Sequence, residues 1–219
     1  MRVLIVDDHP IFRAGVKETL AREEDVELVG EASNGHNALE LARKQPWDVI
    51  VLDITMPEKG GVDVLQELRR EQPKLPILIL SAHPEDQMAL RLLRAGASGY
   101  LTKDKAPDVL LTAIRKIVGG GKYISESLAE KVVVELGAEK AQALHETLSN
   151  REYQVMRMIA SGKTMGDIGR ELFISVRTVS TYRARILAKM QIKTNTDLIR
   201  YALQNKLIEK FVTPTAPSA

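Results

Sequence analysis

The sequence predicts an α/β fold, a doubly wound parallel sheet of the (βα)5 type, followed by a C-terminal all-α domain of four helices. Five short apolar runs are spaced through the first 120 residues, and amphipathic segments of helix length separate them. After residue 149 the periodicity is helical only. Because 219 residues is long for one domain and sufficient for two, we expect two domains.

The five apolar runs are predicted to be strands of a single sheet. Each run is continuously apolar instead of alternating, which indicates burial on both faces of a parallel sheet. The segments between them have the length that a crossover helix needs. The predicted strands are residues 3–6, 26–29, 49–52, 77–80 and 99–101. The predicted helices include residues 36–44, 62–71, 85–95 and 106–118.

Three consecutive glycines, residues 119–121, end this pattern, because glycine is unfavourable inside helices and strands. A short helix over 125–136, with Ser125 as its N-cap, is predicted to lie within a linker. The C-terminal tail is rich in Pro, Ser and Ala and is expected to be disordered. The predicted boundaries are 1–121 for the first domain, 122–145 for the linker, 146–211 for the second domain and 212–219 for the tail.

Charge is distributed unevenly along the chain. Residues 1–124 carry 17 Lys and Arg against 19 Asp and Glu, and the remainder carries 14 against 10. Within residues 161–193 the count is 7 basic to 2 acidic. A polyanion partner is therefore expected at the C-terminal domain, although many solvated helical faces are also basic.

Composition excludes several classes of protein. No apolar run reaches about 18 residues, so we expect no membrane span, and the first residues lack the pattern of a signal peptide. Cysteine is absent, which excludes disulfides and thiolate metal sites. We expect a cytoplasmic protein with no membrane partner.

Chemically active residues stand at the carboxyl ends of the predicted strands. Asp7 and Asp8 follow the first run, and Asp53 follows the third. Ser81 follows the fourth run and Lys103 the fifth. Asp and Ser are also ordinary loop and cap residues. In a doubly wound sheet, however, ligands bind outside this edge, so the shared position of all five favours one site in a crevice.

This set of residues suits phosphoryl transfer. Three clustered carboxylates repel one another unless a cation compensates, and oxygen ligands without His or Cys suit Mg²⁺. A metal beside Asp53 and the ammonium of Lys103 would neutralise an incoming phosphoryl group, to which Ser81 could donate a hydrogen bond. Phosphorylation of a carboxylate depends mainly on such positioning and charge stabilisation.

The C-terminal helices carry cap signals. Ser149 followed by Glu152 is a capping box for the first helix, which stops near Gly162. A second helix is predicted over about 164–172, and Ser175 caps a third that runs to about Met190. The residues predicted to point inward from the second helix and its end are Ile168, Leu172 and Phe173.

The third of these helices has two different faces. Val179, Ile186 and Met190 cluster toward the core, and the opposite face is basic, small and hydroxylated. Such a face fits the major groove of DNA, although a small helical bundle with a solvated face would give a similar pattern. The candidate DNA contacts are Arg177, Ser180, Thr181, Ala184, Arg185 and Lys189.

Residues 1–120 resemble the receiver domains of bacterial response regulators. The matching residues are Asp7-Asp8, Asp53 followed by Met56-Pro57, Ser81-Ala82, and Tyr100 three residues before Lys103. The resemblance implies that Asp53 accepts a phosphoryl group from the phosphohistidine of a sensor histidine kinase. It also implies that Asp8 and Asp53 hold Mg²⁺ with the Thr55 carbonyl, and that Asp7 contributes through water. Ser81 and Tyr100 would move inward together on phosphorylation.

Residues 145–210 resemble the LuxR-type helix-turn-helix of the NarL/FixJ family, a second half typical of response regulators. The matching residues are Leu148-Ser149, Arg151-Glu152, Ile168-Gly169, Ile174-Ser175, Thr178-Val179 and Leu187-Ala188-Lys189-Met190. Residues 178–183 are most similar to the GacA/UvrY and EvgA branches of the family. The nitrate regulators carry Lys where this chain has Ser180 and Ala184, so their base preference does not transfer.

The combined resemblance implies a transcription regulator of a two-component system, controlled by phosphorylation. Its partners would be the sensor kinase, double-stranded promoter DNA and RNA polymerase.

The last helix begins near Thr194, and its apolar stripe is longer than a small four-helix domain can bury. The family implies dimerisation through this stripe on two-fold-related half-sites. The dimer residues would be Leu198, Ile199, Ala202 and Leu203.

Two other functions fit parts of the sequence. A phosphatase with an aspartyl nucleophile would use a similar sheet, but the residue two positions after Asp53 is Thr55 where an acid is expected. A receiver that acts only by binding a partner protein is the second alternative. We expect the chain not to be an enzyme, beyond assisting its own phosphorylation and dephosphorylation.

Overall fold

The structure is a computed structural model that describes residues 1–82, 87–136 and 143–208. The chain divides into two compact units, Met1–Ala141 with Arg170–Ile174, and Gln142–Gly169 with Ser175–Ala219. The first contains the α/β elements, and the second contains most of the C-terminal helices. In the first, five parallel strands lie in the order β2-β1-β3-β4-β5, which is the doubly wound sheet predicted from the sequence. Among the described helices, none combines the length and apolarity that crossing a bilayer requires.

The elements of the first unit alternate strand and helix as predicted. The strands are β1 (Arg2–Val6), β2 (Leu28–Ala32), β3 (Val49–Asp53), β4 (Ile77–Ser81) and β5 (Gly99–Thr102). The helices are α1 (Pro10–Ala21), α2 (Gly35–Lys44), α3 (Gly61–Glu71), α4 (Gln87–Arg94), α5 (Ala106–Val118) and α6 (Glu126–Leu136). The predicted start of α4 before residue 87 lies outside the described residues.

Strand β2 differs from the prediction of 26–29. The N–H of Val26 bonds to the carbonyl of Glu23 in a turn, and the strand begins only at Leu28. β2 lies at the edge of the sheet, and of its five residues only Ala32 is buried. An edge strand does not need the continuous apolarity that marks the inner strands, so the sequence pattern placed it wrongly.

The first part of the predicted linker belongs to the receiver-like unit. Tyr123 pairs with β5, since the Tyr100 N–H donates to its carbonyl at 3.0 Å and its own N–H donates to Ser98 at 3.1 Å. Leu128 of α6 is fully buried, and the Ser125 hydroxyl accepts from its N–H as predicted for an N-cap. A linker that starts at residue 122 is therefore wrong at its beginning. The predicted tail at 212–219 lies outside the described residues.

The second unit contains the four predicted helices, preceded by a short 3-10 helix (Leu144–Thr147). The helices are α7 (Asn150–Ala160), α8 (Met165–Glu171), α9 (Val176–Lys189) and α10 (Asn195–Gln204). The predicted N-caps Ser149 and Ser175 each accept a backbone N–H, as does Thr194 at the predicted start of the last helix. Ser149 and Glu152 form the full capping box. The expectation that Phe173 points inward is wrong. Its φ of 53° turns the chain after α8 and leaves the ring about half exposed.

Candidate functional site

Strand alternation brings Asp7, Asp53 and Lys103 together. The inner face toward α1 and α5 contains Ile5, Val51 and Leu101, one from each of three strands. Each functional residue follows one of these core residues at a spacing of two, so its side chain continues the same face at or just after the end of the strand. The site is thus a direct extension of the apolar core beyond the carboxyl edge of the sheet.

The ammonium of Lys103 lies between two buried carboxylates. Its Nζ is 2.7 Å from Oδ2 of Asp53 and 2.7 Å from Oδ2 of Asp7. The other Asp53 oxygen, Oδ1, accepts the backbone N–H of Thr55 at 3.1 Å. Asp7 and Asp53 are almost completely buried, so these contacts replace the hydrogen bonds that water would otherwise make to the carboxylates.

The environment of Asp53 raises its pKa to about 6. Burial is the largest cause, and the negative charge of Asp7 acts in the same direction. The hydrogen bond and the charge of Lys103 lower the pKa, as does the Thr55 N–H. The result is a carboxylate that is ionised at neutral pH but not fully compensated, which suits a nucleophile that accepts a phosphoryl group.

Lys103 keeps its proton in this site. Burial alone would lower its pKa, but the hydrogen bonds and charges of Asp53 and Asp7 outweigh burial and raise it. The side chain therefore supplies a permanent positive charge beside the Asp53 oxygens.

Asp7, Asp8 and Asp53 form a potential metal site to which His9 also contributes. One ligand atom from each of these four residues lies within 4.8 Å of all the others. The Nδ1 of His9 is 3.1 Å from Oδ1 of Asp7 and 2.9 Å from Oδ1 of Asp8. Three carboxylates at this spacing match the hard oxygen ligands that Mg²⁺ prefers. Sequence reasoning gave His9 no role, and its position directly after the acidic pair was the signal.

Ser81 and Tyr100 lie on the opposite face from Asp53. Ser81 continues the row of Ile77 and Ile79, and Tyr100 is the register partner of Ile79. Both side chains are buried, and the backbone N–H of Lys103 donates to the carbonyl of Ser81 at 2.8 Å. Both side chains therefore lie in the interior of the protein. A movement on phosphorylation stays a prediction.

Gly61 is a site residue that sequence reasoning missed. A Cβ at this position would lie 1.9 Å from the backbone oxygen of Asp53. The Gly61 N–H also donates to the carbonyl of Ile54 at 3.0 Å, which folds the loop after β3 back onto the strand. Only glycine permits this close approach. The Gly60-Gly61 pair at the start of α3 was the available signal.

Helix α9 presents the predicted basic and small face to solvent. Val179 and Ile186 are buried in the helical unit, and the outward side chains include Arg177, Thr181 and Arg185. The two arginines flank Thr181 in a shallow concavity of about 290 Å³. In the described part of the chain, neither arginine has a carboxylate partner. Ser180 and Ala184 are also exposed, as predicted.

The other two cations of α9 are engaged within the unit. Nζ of Lys189 lies 2.6 Å from Oε2 of Glu152, and Nε of Arg183 donates to Oδ1 of Asn195 at 2.7 Å. Lys189 is therefore held by α7 in this structure, a partner that the helical face alone did not indicate. The predicted contact of Lys189 with DNA is untested.

The predicted dimer stripe on α10 is partly internal. Leu198 and Ala202 are fully buried within their own unit, where α10 packs against α7. They cannot offer side-chain surface to a second chain while the unit stays folded, so the set of dimer residues is corrected. Ile199 and Leu203 remain partly exposed on the same helix.

Comparison with known families agrees with both halves of the chain. Residues 3–115 match the response regulator receiver domain, and residues 146–202 match the luxR family of bacterial regulatory proteins. The chain is a response regulator of the LuxR type. The receiver comprises the α/β unit with the Asp53 cluster, and the DNA-binding domain comprises the helical unit with α9.

Several relatives match this chain over nearly their whole length. The response regulator UvrY of Escherichia coli K12 is 34% identical over 208 residues, which cover 94% of this chain and 95% of the relative. The response regulator GacA of Pseudomonas aeruginosa is 34% identical over 210 residues, which cover 95% of this chain and 98% of the relative. RcsB in a solved complex of this response regulator with DNA is 26% identical to this chain, with a TM-score of 0.58. The match covers 93% of this chain and 98% of the RcsB chain.

Proposed function

We propose that phosphorylation of Asp53 by a sensor histidine kinase controls how this response regulator binds promoter DNA. The observation that carries the proposal is the buried Asp53 carboxylate, held 2.7 Å from the Lys103 ammonium beside a second buried carboxylate. A carboxylate that is fixed, charged and next to a permanent cation is prepared to attack phosphorus.

The chemistry of the step follows from the positions of these residues. A carboxylate oxygen of Asp53 forms a new bond to phosphorus while the bond from phosphorus to the donor histidine nitrogen breaks. The electron pair of the broken bond stays on the imidazole. Lys103 compensates the charge of the transferred group. Ser81, at the end of the neighbouring strand, would turn toward Asp53 on phosphorylation and donate a hydrogen bond to that group.

Mg²⁺ is the proposed cofactor. Asp8 and Asp53 would hold it, Asp7 would contribute through water, and the Thr55 carbonyl would be a further ligand. The spacing of the three carboxylates supports this proposal, since their oxygens can converge on one ion. Bound there, the ion supplies positive charge to the oxygens of the transferred phosphoryl group.

The DNA-binding domain is proposed to insert α9 into the major groove. Arg177, Thr181 and Arg185 form its central contacts, with Ser180 and Ala184 on the adjacent row and Lys189 at the far end. The two unpaired arginines and the small side chains between them support this assignment, because they permit close approach to phosphates and base edges. RcsB, which is similar in structure, has been solved bound to DNA.

A homodimer is the proposed DNA-binding form. Two copies related by a two-fold axis would place two α9 helices on successive major grooves. Ile199 and Leu203 of α10 are the proposed contacts, and RcsB is known as dimers bound to DNA.

RNA polymerase is the proposed partner at the promoter. The protein would act in the cytoplasm, and its only chemistry would be gain and loss of its own phosphoryl group.

A gel shift on promoter DNA tests the proposal. Treatment of the full chain with acetyl phosphate and Mg²⁺ should change its affinity for the DNA, and Asp53→Asn should abolish that change. Phosphorylation without any DNA binding would instead support a receiver that acts by protein contact. Release of inorganic phosphate from a small phosphomonoester with repeated turnover would support the phosphatase alternative.

A further inference from the structure

Val176 is an exposed aliphatic residue at the start of α9. It is the first residue of the helix, directly after the N-cap Ser175, and 53% of it is accessible to solvent. Among the described residues, only six large apolar side chains are exposed to solvent. The others are Ile11, Leu28, Val133, Leu144 and Phe173. Val176 is the one on the helix assigned to the major groove.

The hydroxyl groups one turn later have already used their protons. Oγ of Ser180 donates to the carbonyl of Val176 at 2.9 Å, and Oγ1 of Thr181 donates to the carbonyl of Arg177 at 3.0 Å. A hydroxyl has a single proton, so each of these presents only acceptor lone pairs to its surroundings. Thr181 also presents its methyl group.

Spacing of four residues places these groups in two neighbouring rows along the helix. Val176, Ser180 and Ala184 form one row, which contains neither a cation nor an amide. Arg177 and Thr181 belong to the adjacent row. The surface that the first row offers therefore consists of methyl groups and one hydroxyl acceptor.

The major groove contains one kind of base pair that satisfies such a surface. Thymine exposes a methyl group there, and its partner adenine exposes the N6 amino donor. A G·C pair also offers an amino donor, on cytosine, but no methyl group, so only the A·T pair matches both parts of this surface. We propose that this row of α9 selects A·T base pairs, with Val176 packed against a thymine 5-methyl group. The inference rests on the proposed DNA binding by α9.

Replacement of thymine by uracil tests this directly, because deoxyuridine lacks only the methyl group. Duplexes would first be selected from a randomised library with the full chain treated with acetyl phosphate and Mg²⁺. The best duplex would then be resynthesised with deoxyuridine at each thymine in turn. At one thymine position in each half-site, a single substitution should weaken binding about fourfold, the effect of burying one methyl-sized group.

The matched variant is Val176→Ala, which keeps the helix because alanine favours it. This variant should lose affinity for the thymine duplex and should not distinguish thymine from uracil at the sensitive position. Val133→Ala, a change of the same kind on the exposed face of α6, should retain the full distinction.

The inference is overturned if uracil is tolerated at every position, or if Val176→Ala keeps the distinction between thymine and uracil. Selection of half-sites without thymine would also overturn it. Failure of the wild-type chain to enrich any duplex, or to bind bulk DNA, would instead refute the proposed function on which the inference rests.

Discussion

The ammonium of Lys189 lies 2.6 Å from Oε2 of Glu152, which joins the last turn of α9 to the first turn of α7. The same Glu152 oxygen accepts the backbone N–H of Ser149 at 2.7 Å, and its side chain is only 5% exposed. Burial raises the pKa of Glu152, but Lys189 and Ser149 outweigh burial and hold the pKa below its usual value of 4.5. The pair therefore stabilises the domain by favouring the ionised carboxylate.

Lys189→Met should destabilise the DNA-binding domain by about 1–3 kcal/mol at pH 7.5, because it leaves a buried carboxylate short of a partner. Since the pKa of Glu152 is lower in the folded state, the contribution is present above pH 4.5 and is lost as the pH falls through the folded value. Urea unfolding between pH 7.5 and 3.5 measures this. Lys193→Met, an exposed lysine on the following loop, is the control. An equal effect of Lys189→Met at every pH would contradict the explanation.

Arg177→Ala and Arg185→Ala should each flatten the salt dependence of DNA binding. Loss of one phosphate contact changes the slope of log K against log salt by about 0.9. Lys189→Ala should change the slope less, because its ammonium must leave Glu152 before it can reach a phosphate. Affinities measured from 50 to 300 mM salt on one duplex give the slopes. Slopes equal to that of the wild type for both arginine variants would place the phosphate contacts elsewhere.

Mg²⁺ should raise the melting temperature of the full chain. It relieves the repulsion among the carboxylates, and ligand at tenfold its Kd stabilises by roughly 1.4 kcal/mol. Asp8→Asn should remove most of this shift. Glu24→Gln removes the same charge from an exposed position and should leave the shift intact. A shift of the wild-type size in Asp8→Asn would show that the ion binds elsewhere.

Ile199→Lys should weaken dimerisation without unfolding the chain, since Ile199 is only partly buried. Leu198→Ala serves as the contrast, because Leu198 is fully buried and its truncation should cost about 2–5 kcal/mol of stability. Sedimentation of the phosphorylated chain, paired with thermal unfolding, separates the two effects. Dimers of unchanged strength in Ile199→Lys would move the interface away from α10.

The sequence was most informative for the inner strands of the sheet and for the residues at their carboxyl ends. Inner strands such as β3 are covered on both faces, so they appear as apolar runs, and residues such as Asp53 follow at their ends. The edge strand β2 lacks that constraint and was misplaced. Caps such as Ser149 were predicted because the capping box is a local pattern that depends on few other residues.

The contacts that sequence reasoning missed are those between distant segments. Nothing near Lys189 indicates that Glu152, 37 residues earlier, lies beside it. The attachment of Tyr123 to β5 and the burial of Leu198 and Ala202 likewise depend on tertiary packing. An amphipathic stripe shows that a face is apolar but does not show which part of it the same domain covers.

Labelling with radioactive acetyl phosphate tests the central claim, that Asp53 is the phosphoacceptor, most directly. The wild-type chain with Mg²⁺ should incorporate one label that is sensitive to alkaline hydroxylamine, as an acyl phosphate is. Asp53→Ala should incorporate none, and Asp63→Asn, on nearby α3, should be labelled like the wild type. Label that persists on Asp53→Ala would contradict the assignment of the site.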